Sequence, residues 1–584
     1  MKRSCAVLLA LAVCAAWSFG GERPGLRRFG IKTQRTDRLS ETTAAGVLRT
    51  RGTKLPSIGT EIGTTWMDWP CNGNVLNQIS VDGNGGLHFS WAFEDETFGG
   101  TTRRYMYNYR GADGSYLGPT AFADIPGAGW GSSGCTYDGI GLGAFYATIA
   151  GKYPPLFSYD AGEGLGVFTT DGADSAGANA LPWGGAWWNR LAVNRNPGNS
   201  DTIYMAAQGP AGNGTGFNRS YDLGQTWNTW MDLSFDGTMG FRSDFPSQQV
   251  AAGAGGRLAV AVVDSYDTQI YRISEDYGVT WGNVQIAVDP VTTDPNGDTV
   301  IPYLHTHVFF DNDNYLHILN SYYSWNYNSI GDSTLVYVGI FDWSENNGFR
   351  YVTRELTSEV QWYAYNTLNY GWPCMTQHAD GTMMVVFAYF DSIDVAANGY
   401  ANGDIWYTLS KDGGANWYPK FNLTNSQSPG AAAGSCEDDA YPDCAVFGDS
   451  LHITWLWSPD AGQAYQSAPG TVDTENKQYH AVFHFEVGVA GGPTAQPTHK
   501  LALNQNRPNP VRANTEISFS LPKAGDYSLK IYNVTGQTVK EFRGQGQAGA
   551  NSVSWNAGKV TNGIYFYKLS SGGSTAAKRM VVVK

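Results

Sequence analysis

Between about residue 62 and residue 488 the chain alternates apolar and polar positions in short runs, each closed by Gly, Asp or Asn. "NQISVDGNGGLHFSWAF" from Asn77, "THVFFDNDNYLHILNSYY" from Thr306, "TQHADGTMMVVFAYF" from Thr376 and "PDCAVFGDSLHITWLW" from Pro442 share one plan. A strand leads into a polar turn, and a strongly apolar strand follows. Looser copies begin at Cys135, Asn189 and Gln248. A period of two marks strands, and the turn clusters join them as hairpins. Further strand material such as "RRYMYNYR" or "DIWYTLS" follows each hairpin. A single four-stranded sheet of this kind cannot cover both of its faces, whereas sheets stacked in a ring cover one another. Copies at intervals of roughly 45–70 residues therefore predict an all-β fold, a β-propeller of seven blades, or of six if the weak copy at Cys135 is not one.

Residues 489–500 lie in a Gly/Pro/Thr-rich stretch that reads as a linker. Beyond it, "TEISFSLP" and "DYSLKIYNVTGQTVKEF" alternate again, with Thr535 and Gly536 at a hairpin turn, and predict an immunoglobulin-like β-sandwich over 501–584. At the other end, "MKR" followed by "CAVLLALAVCAAW" reads as a signal peptide over residues 1–20. Residues 21–61 are basic, without apolar period, and predict a flexible segment or propeptide. No stretch after the signal is apolar and long enough to span a membrane as a helix.

Composition narrows the partners. Charged residues are only 15% of the 584, aromatics are 14%, and there are 72 Gly and 20 Trp, a mixture suited to short aromatic strands hinged by glycine. The formal charge of −14 disfavours nucleic acid, whose phosphates an acidic surface repels. Outside the signal there are five cysteines, Cys71, Cys135, Cys374, Cys436 and Cys444. An exported chain can oxidise them, and Cys436 with Cys444, close in sequence, is the expected pair.

One string recurs. "RSYDLGQTW" carries Ser220, Asp222, Gly224 and Trp227, "ISEDYGVTW" carries Ser274, Asp276, Gly278 and Trp281, and "LSKDGGANW" carries Ser410, Asp412, Gly414 and Trp417. Each follows a strand. Asp can accept backbone N–H groups inside the turn, Gly supplies a left-handed position, and Trp can pack down between strands. The pattern resembles the Asp-box (BNR) repeat of sialidase-like propellers, and the resemblance implies a structural element away from the catalytic face. A second resemblance lies at the C-terminus. Asn506, Pro508, Asn509, Pro510, Tyr532, Gly536, Trp555, Gly563, Tyr565 and the basic-then-apolar tail Lys578 to Val583 are similar to the C-terminal sorting domain of the bacterial type IX secretion system. That implies recognition of residues 501–584 by an outer-membrane translocon of a Gram-negative bacterium, then secretion or surface display.

Residues just ahead of each blade's first strand should converge on the axis. The candidates are Trp69, Trp187, Arg190, Arg242, His305, His307, Trp372, Asp438, Asp439 and Tyr441. Aromatic faces can stack on sugar rings, so glycan or another extracellular polymer is the expected ligand. An exo-glycosidase of sialidase type is the alternative, although the F-R-I-P signature is missing and Arg242 stands only in "FRSDFP". A structural or adhesive surface component is the third reading. No metal is required by the pattern. His305 and His307 could join Asp438 or Asp439 around an ion, and Asp294, Asn296 and Asp298 have a spacing suited to Ca²⁺ without the full loop.

Overall fold

The computed structural model describes residues 59–583 apart from 71–76, 97–101, 148–153, 173–186, 196–200, 209–213, 234–246, 265–266, 290–298, 326–335, 358–367, 465–469, 485–501, 504–505, 507–508, 510, 522–524, 547–548 and 573. The chain divides into two compact units, Met1–Glu486 and Val487–Lys584.

Among the described residues the first unit contains seven antiparallel sheets. Six of them run in chain order over residues 79–121, 129–172, 187–232, 249–288, 301–357 and 370–422. The seventh takes Asp438–Phe447, Ser450–Ser458 and Asn476–His484 from the end of the unit and Thr60–Thr65 from its beginning. That last strand starts at Thr60, inside the segment expected to lack structure. The first strand of each sheet packs on that of the next, with His307–Phe310 taking this place in the fifth sheet, and Ile79–Val81 packs on Asp438–Phe447. The sheets thus form a closed ring, a β-propeller.

Closure rests on buried polar contacts as well as strand pairing. The carboxylate of Asp443, on the seventh sheet, accepts the backbone N–H groups of Gln78 at 2.6 Å and Ile79 at 3.0 Å, both at the start of the first sheet. The Gln478 amide donates to Gln78 Oε1 at 3.0 Å and to Thr454 Oγ1 at 2.8 Å. Farther out, His452 and His480 share a hydrogen bond of 3.1 Å, and His480 bonds the Tyr116 hydroxyl at 2.7 Å. Burial, reinforced by Arg110, holds His452 down at about 4, and His480 is lower still, so both rings are neutral at pH 7.

The three recurring strings form one turn each. Ser220 Oγ donates to Asp222 at 2.8 Å and accepts the Gly224 N–H at 2.8 Å, while Asp222 accepts the Thr226 N–H at 2.8 Å. Ser274, Asp276, Gly278 and Thr280 repeat these bonds. In the third copy Asn416 replaces threonine and donates to Asp412 through its side-chain amide at 2.8 Å. The sequence placed the tryptophans between strands; they pack instead between sheets. Trp227 meets Phe157 of the preceding sheet edge-on at 5.1 Å, and Trp281 meets Phe217 at 4.9 Å. Gly224 has φ +81°, and a Cβ there would lie 2.2 Å from the Phe157 ring. The glycine is needed for its backbone angle and for the close approach of the neighbouring sheet.

The expected Cys436–Cys444 pair is overturned. Cys444 Sγ lies 3.3 Å from Cys374 Sγ, on the first strand of the sixth sheet. Cys436 is near the carbonyls of Ala431 and Ala432, and no two of the four described cysteines are bonded to each other in the structure. The chain is extended from Asp438 onward, and at ~3.3 Å per residue it carries Cys444 well beyond the roughly 7 Å within which two cysteine Cα atoms can be bridged.

In the second unit a sheet of Ala502–Leu503, Asn514–Leu521 and Gly549–Asn556 shares one apolar core with a sheet of Thr538–Gly546, Gly525–Asn533, Gly563–Ser571 and Ser574–Val582. Ile517, Phe519, Leu529, Ile531, Tyr567 and Met580 form its centre. Asn506, fully buried, donates from its backbone to Tyr567 Oη at 2.9 Å and from its amide to Thr515 Oγ1 at 2.9 Å. Asn509 accepts the Val581 N–H at 2.8 Å, tying the segment to the last strand.

Three expectations follow. Gly224→Ala should lower stability by more than about 2 kcal/mol in urea unfolding, because it adds a clash to left-handed strain. Gly255→Ala, with φ +68° and open space around it, should cost only about 1–2 kcal/mol. The neutral histidines bind protons on unfolding, so their contribution is full above pH 6.5 and falls as pH drops toward 4. Asp443, pushed up to about 7 by burial, acts in the opposite sense and loses its contribution as pH rises toward 7. His480→Asn should therefore flatten the loss of stability between pH 6.5 and pH 4, measured as unfolding midpoints across that range.

Candidate functional site: an aromatic belt across three blades

Four first strands carry a register shift near their leading ends, at Gly129/Ser132, Trp187/Arg190, Gly371/Cys374 and Ala440/Asp443. In each shift an aromatic residue adopts positive φ: Trp130 at 45°, Trp188 at 47°, Trp372 at 49° and Tyr441 at 55°. Such angles cost a bulky residue about 1–3 kcal/mol, and a bulge re-aims the side chain that it carries. Four sheets thus present an aromatic ring at corresponding places. "GWG", "WWN", "GWP" and "AYP" mark the positions in the sequence, an aromatic followed closely by a small, polar or proline residue.

The rings fall into two arcs that differ in exposure. In the first, Trp69 and Trp130 meet edge-on at 5.9 Å, and the Trp130 indole N–H donates to the Trp69 carbonyl at 3.3 Å. Trp130 stacks on Tyr146 at 5.9 Å, Tyr146 stacks on Trp187 at 6.3 Å, and Trp187 meets Trp188 at 5.1 Å. The Arg103 guanidinium covers Trp130 at 4.0 Å, a cation–π contact, and donates to the Gly127 carbonyl at 2.7 Å. Trp69, Trp130 and Trp187 keep part of their surface exposed, while Tyr146 between them is buried. The second arc joins Tyr303, His305, Trp372 and Tyr441, with centroid separations of 5.6, 5.2 and 3.9 Å. His305, Trp372 and Tyr441 are buried, so they pack the interior and offer no open face.

The structure therefore divides the predicted set. Trp69 and Trp187 stand in the half-exposed arc together with Trp130, which also stands ahead of a first strand in the sequence, whereas Tyr146 and Arg103 were missed. Tyr146 lies at the end of a second strand, where counting back from first strands does not reach. Arg190 is wholly buried in its strand, with its guanidinium donating to the Asn189 carbonyl at 3.1 Å, and is no open clamp for a carboxylate. Arg242 lies outside the described residues, as do Asp294, Asn296 and Asp298.

The metal reading of His305, His307, Asp438 and Asp439 does not stand. Among the described residues no group of three or more His, Cys, Asp or Glu side chains could hold an ion. His305 bonds Ser321 Oγ at 3.1 Å, and His307 Nδ1 accepts the Met375 N–H at 3.3 Å. Burial holds His307 down at about 4. Asp438 accepts the Gly403 N–H at 2.7 Å. Asp439 accepts the Trp455 indole N–H at 2.7 Å and the Ser426 hydroxyl at 2.6 Å, and burial pushes it up to about 7.

A second cluster escaped the sequence because its members come from different sheets. Lys420 Nζ sits 3.3 Å from the Tyr389 ring centroid, donates to Tyr370 Oη at 2.7 Å and pairs with Glu355 at 3.3 Å. Desolvation lowers the amine to about 8, against the pull of Glu355. The cage joins the fifth and sixth sheets.

Residues 507–583 match the family described as "Secretion system C-terminal sorting domain". The chain ends in a type IX sorting domain. No curated protein matches the chain. Similar solved structures include an ulvan lyase of polysaccharide lyase family PL25, at 10% identity and TM-score 0.42, covering 71% of this chain and 95% of that one. The α-L-arabinofuranosidase Arb93A of Fusarium graminearum is similar at 13% identity and TM-score 0.36, over 62% of this chain and 94% of that one. A protein of unknown function from Dyadobacter fermentans is similar at 12% identity and TM-score 0.34, over 61% and 94% respectively.

Proposed function

We propose that this exported chain is a seven-bladed, sialidase-like propeller followed by an immunoglobulin-like sorting sandwich, and that the arc of Trp69, Trp130 and Trp187 binds glycan or another extracellular polymer. The observation that carries the reading is the partial exposure of these three indoles on a belt braced by Tyr146 and Arg103. Bracing matters because a ring already held in place loses little side-chain freedom when a sugar stacks on it. The belt runs from the segment ahead of the first sheet across the second and third sheets, so it suits an extended ligand better than a single small molecule.

A second reading, an exo-glycosidase of sialidase type, is favoured by one group. Asp439 keeps its proton near neutrality, as a general acid must. It is nearly wholly buried and already hydrogen-bonded, which weighs against it.

Affinity electrophoresis against a panel of extracellular polysaccharides should retard the wild-type chain on at least one of them. Trp69→Ala and Trp187→Ala should each weaken that binding by about 10-fold or more, the worth of one stacked ring. Turnover of fluorogenic glycosides, lost in Asp439→Asn with the fold intact, would favour the enzyme. Neither binding nor turnover would leave a structural or adhesive role. For export, deletion of residues 501–584 should hold the protein in the periplasm, read by fractionation and immunoblot; normal appearance outside the cell would refute the sorting assignment.

A further inference from the structure

We propose that Cys374 and Cys444 form a disulfide in the exported protein and that this bond is a covalent staple between the sixth and seventh sheets of the ring. The two sulfur atoms lie 3.3 Å apart. A disulfide requires about 2.05 Å, so closure demands a movement of little more than ~1 Å shared between two side chains. Neither residue is on a loop. Cys374 sits at the end of the register shift in Tyr370–Gln377, and Cys444 just beyond the shift in Asp438–Phe447. These two first strands belong to different sheets and pack directly on each other. The same step of the ring carries Trp372 against Tyr441, at 3.9 Å, which holds the two strands side by side.

The position gives the bond its consequence. The seventh sheet is assembled from both ends of the first unit, and its contacts to the first sheet include the buried Asp443, adjacent to Cys444 in the chain. A bond from Cys444 to Cys374 would tie the seventh sheet to the sixth whether or not Thr60–Thr65 has paired. It would also enclose a long stretch of chain, the case in which a cross-link restricts the unfolded state most.

Chemically the step is thiol–disulfide exchange. Two thiols lose two hydrogens and become one disulfide, while a disulfide of a dithiol–disulfide oxidoreductase, or a small-molecule disulfide, is reduced to two thiols. Cys374 is completely buried and Cys444 nearly so. Burial also raises both thiols, which leaves little thiolate in the closed ring. The exchange therefore belongs to folding, before the sixth and seventh sheets close, and the finished bond is shielded from external reductant.

The test uses the full chain collected from an oxidising compartment. Accessible thiols are blocked with N-ethylmaleimide as the chain is unfolded, and the protein is digested without reductant and mapped by mass spectrometry. The expected result is a linked pair of peptides containing Cys374 and Cys444, which separates on reduction, with Cys436 among the blocked thiols. In a thermal scan, a reductant able to enter the partly unfolded protein should lower the wild-type midpoint by on the order of 5 °C and leave the Cys374→Ala/Cys444→Ala double variant unchanged. Recovery of Cys374 and Cys444 both blocked by maleimide, or a link from Cys444 to Cys436 or to any other cysteine, would overturn the proposal. The peptide map is read on the wild-type chain, so it stands even if the double variant folds poorly.

Discussion

Where the ring closes, one buried carboxyl group meets two peptide groups. Asp443 reaches from the last sheet to the Gln78 and Ile79 N–H groups of the first, inside a fully desolvated seam. Each of those N–H groups would cost about 1–3 kcal/mol if left unpaired there, and the aspartate side chain would itself be stranded. The contact therefore favours the closed arrangement, together with the strand pairing and the other bonds of the seam. An unclosed ring would expose the buried faces of two sheets and leave these polar groups without partners. Thr60–Thr65 adds backbone pairing to the same junction, which makes closure a property of both chain ends of the propeller unit.

Once the ring is closed, the residues at corresponding places in each sheet take on different work. The left-handed aromatics at the register shifts are Trp130, Trp188, Trp372 and Tyr441, alike in backbone angle. Their neighbours decide what they do. Trp372 and Tyr441 have each other, His305 and the enclosing strands, so their faces are consumed by packing. Trp130 has Arg103 on one side and Tyr146 on another and still keeps surface free. The recurrence builds the ring, and the differences between copies leave one sector with aromatic surface still open. Sorting is separate from this chemistry. It resides in the second unit, where Asn506 and Asn509 pin the leading segment onto the last strands.

Much of this was legible in the sequence because it is local. Alternating apolar residues, glycine turns and the three Ser-Asp-Gly-Trp strings are each contained in a dozen residues, so strands, hairpins and turn chemistry could be read directly. Local chemistry also explains why Asn416 can stand for threonine: an amide can reach the same Asp412 oxygen at 2.8 Å. The errors were of the opposite kind. Tryptophans 227 and 281 belong to turns by sequence but pack on the neighbouring sheet, and Cys444 lies next to Cys374 instead of its sequence neighbour Cys436. Lys420 acquires its surroundings only in the fold, which brings Glu355, Tyr370 and Tyr389 around it.

The sequence alone determined that the chain is built of short antiparallel sheets, that a recurring turn caps several of them, and that the last segment addresses the protein for export. Those properties follow from residue order over a few positions, where backbone angle, alternation and turn chemistry act. Tertiary structure alone decided which aromatics keep an open face, which carboxylate closes the ring and which cysteines meet. Those depend on what stands across a sheet-to-sheet seam, and partners there lie dozens to hundreds of residues away, at distances no spacing in the chain records.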